Sequence, residues 1–498
     1  MTGFQLASEW LDYAGTVGLE LRSPLFDHES IPGLLSYPIG FSDTPRNRRL
    51  LGFPAVRARR GGPPAPLAVD FYVGGALWRR GLLQYQGFDS EKGEYSYQFQ
   101  ADADALGNLL QDVLLSQLAL GRLPTSTQAE TDDYVLAPVR NADFYDKEKN
   151  PAWCQVVNYY APGGGGAASN QAGDAHPFAL VPMLKLVPLL QRILAVYGYE
   201  LGGEWILDTE VQQLVVYNLA ALDQATDAAP DSGFNIADAL PDVRVAELLL
   251  VLQQVFALGF VFHPLRKQVR VVALRDVVAG RAYRDRPGVA NSFHETANTG
   301  KGYTLNFTAD SDDDLLKAGG WQPLVLGAGA ETIQPAVDTL RMVREADPRL
   351  PSRSWLVPAA AQPGRSARTA FEQTDKRSSQ LRLLFYRGLR PDSNGVVYPL
   401  LSSGTLDYAG ATVGQYALAW DGPQGLYQQW HKPWLDFRAA ARQEERDVQL
   451  TLGEFLALDP TVPDRVRGLD FLWESVSVTV GGDQTLGPAA FTYHQRSA

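Results

Sequence analysis

The chain has 498 residues, more than one hydrophobic core normally serves, so two to four domains are expected. Its formal charge of −12 argues against a general nucleic-acid binder and suits a surface that repels polyanions. One cysteine, Cys154, excludes an internal disulfide and a cysteine-cage zinc site.

Met1-Thr2-Gly3-Phe4-Gln5 has neither the basic start nor the apolar run of a signal peptide. Residues 1 to about 105 read as a β-rich unit. Val69, Phe71 and Val73 alternate toward a Gly74-Gly75 hairpin turn, and Tyr95, Tyr97 and Phe99 put three aromatics on one strand face. Leu109, Leu110, Val113, Leu114 and Leu118 predict a helix over 105–123. An acidic loop over 124–150 follows, then a flexible Gly163–Gly173 connection.

Between 177 and 290 the chain repeats itself. Leu186, Leu189, Leu190, Ile193 and Leu194 recur at helical spacing before Gly198, and Tyr199-Glu200-Leu201 starts a strand. Leu248, Leu249, Leu252, Val255 and Phe256 do the same before Gly259, with paired strands around Pro264–Lys267. Both glycines are expected as left-handed helix caps. Lys185, Arg192, Glu247 and Gln253 interrupt these segments, so neither supplies the roughly 20 apolar residues of a membrane span. From 291 to 498 the pattern is again β-rich, with strands at 303–307, 380–386 and 475–480. A helix is expected near 433–447 and a long loop at about 340–378. The fold class is α+β.

Candidate chemistry is thin. Gly163–Gly166 lacks the lysine and hydroxyl residue of a phosphate loop. Asp310, Asp312 and Asp314 have the first spacings of a calcium loop, but Leu315 replaces its turn glycine and Trp321 its bidentate glutamate, so a solvated acidic turn is expected. Cys154 with His176 lacks a nucleophile motif. The carboxylate pairs Asp208/Glu210 and Glu444/Glu445 lack any glycosidase context. His263 and His431 read as packed or surface residues. Trp420, Tyr427, Trp430 and Trp434 suit either core packing or a sugar-stacking platform. Arg46, Arg48, Arg49, Arg57, Arg59, Arg60, Arg79 and Arg80 suit either DNA phosphates or a charged subunit interface. No catalytic, cofactor-binding or metal residue is assigned, and no enzyme is expected.

The segment Ile31-Pro32-Gly33-Leu34-Leu35-Ser36-Tyr37-Pro38-Ile39-Gly40-Phe41, continuing through Asn47-Arg48-Arg49-Leu50-Leu51-Gly52-Phe53-Pro54, resembles tail structural proteins of phages and prophages of Bacteroidota. Those proteins carry a "PGxxSxP" loop and an "NxRxLGFP" segment. The likeness continues at Asp70–Gly75, Gly81–Leu83, Leu240–Asp242, Gly259–Phe262, Leu384–Gly388 and Trp420–Tyr427. The layout also looks like baseplate hub proteins, in which two tail-tube-like β-barrels flank an α/β insertion. The resemblance implies hub domains at 1–105 and 291–498, connecting segments at 106–176 and a doubled α/β module at 177–290. It implies a homotrimer at the distal end of a virion tail, made in the bacterial cytoplasm. The implied neighbours are a tail tube or distal tail protein, a tape-measure protein and tip or fibre proteins, with DNA passing through unbound. A carbohydrate-binding receptor-recognition protein of the tail is the alternative.

Overall fold

Alternation decides the first sheet. Val69, Phe71 and Val73 turn inward from the strand Leu67–Val73, and Tyr95, Tyr97 and Phe99 from Glu94–Ala101. In the computed structural model these strands and Ala76–Asp89 form an antiparallel meander. The structure describes residues 2–13, 16–27, 34–36, 39–54, 64–101, 110, 113–145, 153–169, 180–222, 233–263, 266–290, 292–296, 302–317, 322–329, 331–364, 380–481 and 486–496.

The chain divides into two compact units, each assembled from separate segments. Unit 1 comprises Met1–Leu110, Leu258–Lys301 and Pro433–Ala498; unit 2 comprises Gln111–Ala257 and Gly302–Lys432. Among the described residues, unit 1 is built on a 14-stranded sheet. Its N-terminal and C-terminal strands meet where Thr16–Arg22 pairs antiparallel with Leu469–Gly481, in register from Thr16↔Gly481 to Arg22↔Ser475. Residues 1–105 therefore share their sheet with the end of the chain. The core beneath it is aromatic: Phe4 stacks on Phe71 at 4.4 Å and meets Phe99 edge-on at 5.5 Å.

Unit 2 carries a six-stranded and a four-stranded sheet among its described residues. The first runs through Tyr134–Val135, Met183–Lys185, Leu214–Val216 and the long strand Leu381–Pro391. The second joins Val139–Asn141 in parallel to Ser354–Ala360, which pairs antiparallel with Arg341–Ala346.

Both repeat helices form, as Leu186–Val196 and Val245–Phe256, and bury the leucine faces their spacing marked. Gly198 takes the left-handed cap at φ +73. The second cap differs from expectation: Ala257, at φ 48, holds the left-handed position, and Gly259 lies inside the strand Leu258–His263. Gly259 is needed for close approach instead, since a Cβ there would lie 2.4 Å from Leu25 Cδ2. The strands Leu258–His263 and Gln268–Ala273 pair as the sequence indicates, around a turn whose residues 264–265 lie outside the described set.

Several other expectations are corrected. Within 105–123, residues 105–109 and 111–112 lie outside the described set, and Leu110 between them is helical. The rest is a short 3₁₀ turn at Leu115–Gln117 and a strand at Arg122–Leu123. Leu110 is helical and buried, and beyond it Leu115, Leu118, Leu120 and Leu123 are buried on the non-α-helical backbone of 113–123. The expected loop at 124–150 contains the strands Tyr134–Val135 and Val139–Asn141. The loop expected at 340–378 contains Arg341–Ala346 and Ser354–Ala360, and its residues 365–379 are outside the described set. The helix near 433–447 ends at Ala440, and a strand occupies Gln443–Val448. Gly163–Gly166 lies in the exposed tip between the paired strands Tyr159–Tyr160 and Ala168–Ser169; residues 170–173 are outside the described set.

Candidate functional site

The motif that carries the family resemblance proves to be a built structural joint. Thr44 caps the helix Pro45–Leu50, its Oγ1 accepting from Asn47 N at 3.1 Å, and Pro45 occupies the first helical turn, where a missing N–H costs nothing. Asn47 is fully buried. Its Nδ2 donates to Asp12 O at 2.9 Å and Ser42 O at 2.8 Å, while its Oδ1 accepts from Asp12 N at 2.9 Å. One amide thus ties three chain segments together. The helix then ends in a Schellman motif: Gly52 N donates to Arg49 O at 3.2 Å and Phe53 N to Arg48 O at 2.9 Å. Gly52, at φ +70, meets this geometry without a Cβ penalty. Asn47→Ala is expected to destabilise unit 1 by about 2 kcal/mol, because it leaves Asp12 and Ser42 backbone groups unpaired. Urea unfolding of the purified variant measures this directly.

The arginines around the joint are tied down within the chain. Arg48 pairs with Asp43 at 2.6 Å, Arg49 with Glu9 at 2.7 Å, Arg46 with Asp12 at 3.6 Å and Arg80 with Asp70 at 3.3 Å. Hydrogen bonds from Arg48 and then from Tyr95 hold the Asp43 carboxyl at about 2. Arg79 lies over the Trp78 ring. Arg57, Arg59 and Arg60 lie outside the described residues.

In unit 2 a cleft of about 610 Å³ opens between the Glu210 turn, the Arg387–Gly388 bulge and the Thr412–Gln415 loop. The charged groups on its walls are already engaged. Glu210 accepts from Gln415 N at 2.8 Å, from Tyr416 N at 3.1 Å and from the Arg387 guanidinium. Burial lowers the Arg387 pKa, and the Glu210 hydrogen bond and charge oppose that only in part. Glu130, on the same wall, pairs with Lys185 at 2.6 Å. The cleft offers two neutralised ion pairs rather than an acid and a base poised apart.

The remaining candidates resolve into packing. Asp310 is buried, accepting from Arg382 at 2.6 Å and from Gln362 at 3.0 Å, so the expected solvated turn is instead half of a buried ion pair. Asp312 and Asp314 of that trio are exposed. Among the described residues, no group of three His, Cys, Asp or Glu could hold a metal. Cys154 is buried, its thiol pushed up to about 11 by that burial, and His176 lies outside the described residues. Glu444 binds Arg446 at 2.6 Å, Asp208 accepts from Tyr416 Oη at 3.0 Å, and His263 titrates lower through burial.

The tryptophans do not form a platform. Trp420, Trp430 and Trp434 are 3%, 1% and 6% exposed. Trp420 packs on Phe307 and His431, and Trp430 on Tyr416 and Phe256, all in unit 2. Trp434 packs on Phe26 and Phe437 in unit 1. No indole face is open to a sugar, and of the four aromatics on which the receptor-recognition alternative stood only Tyr427 is half-buried rather than buried.

The sequence reading missed a set of buried guanidinium groups. Arg353, with no solvent exposure, contacts Asp347 at 3.0 Å, Asp392, and Tyr160 O at 2.6 Å, over the Trp355 ring. Arg286 bonds Asp464 at 2.9 Å, and Tyr493 donates to the same carboxylate at 2.9 Å. These are structural ties, and nothing in local sequence marks them.

No family model matches the sequence, and no curated protein matches it. Solved structures similar to the chain include two tail proteins. One is the tail protein from Neisseria meningitidis MC58, at 10% identity and a TM-score of 0.38, covering 99% of this chain and 95% of that one. The other is the prophage MuSo2 43 kDa tail protein from Shewanella oneidensis, at 9% identity and a TM-score of 0.37, with coverage of 99% and 95%. Among the described residues, no helix is long and apolar enough to cross a membrane.

Proposed function

We propose that this chain is a structural component of a phage tail tip, acting as a homotrimeric baseplate hub. In this reading it joins the tail tube, or a distal tail protein, to tip or fibre proteins, contacts the tape-measure protein, and lets the genome pass. It resides at the distal end of the virion tail and performs no catalysis. The observation that carries the reading is the Asn47 joint. Within the segment on which the resemblance to tail proteins rests, Asn47 and the apolar residues Ile39, Phe41 and Leu51 are buried in the core of unit 1, the part such a protein would have to hold rigid. Charge adds support. Unit 1 is nearly balanced in Lys/Arg against Asp/Glu, so unit 2 carries nearly all of the −12 excess. An acidic surface does not retain a passing polyanion.

Sedimentation velocity of the purified chain at micromolar concentration tests the assembly. The expected result is a closed species of three copies, because heterologous contacts about a three-fold axis close a ring. A monomer at all concentrations would count against the hub.

A further inference from the structure

The cleft of unit 2 has matched charges and unmatched neutral groups. Its two carboxylates each have a cation: Glu210 has Arg387, and Glu130 has Lys185 at 2.6 Å. Arg387 is itself almost fully engaged. Its Nε and Nη2 donate to Gly404 O at 3.1 and 2.8 Å, Nη2 also donates to Tyr416 O, and Nη1 donates to Glu210. Gly414 lies so close over this pair that a Cβ there would sit 2.1 Å from Arg387 Nη1. The charged floor is thus held by the chain's own contacts and presents a ligand with no uncompensated charge.

The neutral side chains around it are different. Thr209, Gln213, Thr412 and Gln415 line the same cleft. Thr209, Thr412 and Gln415 are exposed, and among the described residues none of the four side chains has a hydrogen-bond partner. Gln213 Oε1 is buried as well as unpaired, an uncommon state for an acceptor in a native protein; rotation of its amide would bring it to a donor in the cleft. Val413 is the one aliphatic side chain among the described lining residues, so no apolar pocket is offered. The volume, about 610 Å³, falls within the range of small-ligand sites.

We propose that this cleft binds a neutral saccharide of a few units, whose hydroxyls are bonded by Thr209, Gln213, Thr412 and Gln415. The class of ligand follows from the walls. An anion would face Glu130 and Glu210, a cation would face Arg387, and neither would find an unmatched opposite charge. Threonine hydroxyls and glutamine amides both donate and accept, and a sugar hydroxyl does the same at a single atom. A peptide would bring side chains for which the cleft has no pocket. The site is distinct from the buried tryptophans and does not depend on the hub reading.

The test is ligand-observed saturation-transfer NMR on the purified full chain. The neutral probes are maltotriose, cellotriose, mannotriose and chitotriose; the controls are sialyllactose and a blocked tetraserine peptide. At least one neutral trisaccharide is expected to receive transfer, with an affinity unchanged when salt is raised from about 0.05 to about 0.5 M. Thr209→Val/Thr412→Val and Gln415→Ala alter exposed side chains, so both should melt with wild type. The double variant should bind that sugar about tenfold more weakly, and Gln415→Ala should weaken it in the same direction. Transfer to none of the neutral sugars, or to a control alone, overturns the proposal. Undiminished binding by both variants overturns it too, since the sugar would then sit elsewhere. Neither failure touches the proposed assembly, which sedimentation tests separately.

Discussion

Replacing Arg382 with methionine is expected to cost the chain about 3–5 kcal/mol of stability, because it strands two buried carboxylates. Arg382 lies in the strand Leu381–Pro391, and its side chain is 1% exposed. Nη1 donates to Asp313 Oδ2 at 2.7 Å; Nη2 donates to Asp310 Oδ2 at 2.6 Å and to Gln362 Oε1 at 3.0 Å. Burial by itself raises the Asp310 pKa. The hydrogen bond and charge from Arg382, with hydrogen bonds from the Asp312 backbone and Gln362, together more than offset it, leaving the carboxyl below its ordinary value. On the other side, burial lowers the Arg382 pKa, and Asp310 and Asp313 bring it back above normal. Each partner is therefore tolerable only with the other present. Urea unfolding of Arg382→Met should show the full loss. Arg382→Met/Asp310→Asn/Asp313→Asn should recover most of it, because no charge is then left buried alone. A single variant within about 0.5 kcal/mol of wild type would contradict this account.

Acid is expected to loosen the protein in a second, separable window. His431 closes the π-helical turn Tyr427–His431 and is buried. Its Nε2 lies 3.0 Å from Val255 O; a carbonyl only accepts, so the proton sits on Nε2 and Nδ1 is the site left to titrate. Burial drives the pKa down to about 4, against partial opposition from the Val255 and Gln254 carbonyls. The unfolded chain takes up a proton near 6.5, and the folded chain does not until about 4. Stability from this group is thus fully present above 6.5 and falls as pH drops from 6.5 to 4, by about 3 kcal/mol in total. Asp310 has a depressed pKa, so its share is lost lower still, as pH falls through its folded pKa. Denaturant titrations between pH 7.5 and 4 should show the loss in wild type. His431→Gln, which keeps a donor and cannot titrate, should remove that part of the slope. An unchanged slope in the variant would refute the assignment.

Periodicity made the regular parts legible. Val69, Phe71 and Val73, the tyrosines of Glu94–Ala101 and the alternation within Leu469–Gly481 are strands with one buried face, and the two repeat helices show their leucine stripes. Ser354–Ala360 escaped because Pro358 and a run of alanines read as loop, although Trp355 and Val357 are buried. In the 105–123 segment Leu110 is helical, but from 113 onward the leucines are buried by a 3₁₀ turn and extended backbone that helical spacing does not anticipate. The buried ion pairs were invisible for a different reason. Arg382 and Asp310 stand 72 positions apart, and an aspartate in a polar run reads as solvated until the fold brings its arginine. Asn47 lay inside the segment that the resemblance singled out, but its threefold tie depends on Asp12, 35 residues away. Sequence marked the place and the fold supplied the reason.

The central claim is most directly tested by a cryo-EM reconstruction of the phage or prophage particle that carries this chain. The hub reading predicts density for three copies around the tail axis at its distal end, enclosing the genome path. Absence of the chain from the tail, or its placement off the axis as isolated copies, would contradict it.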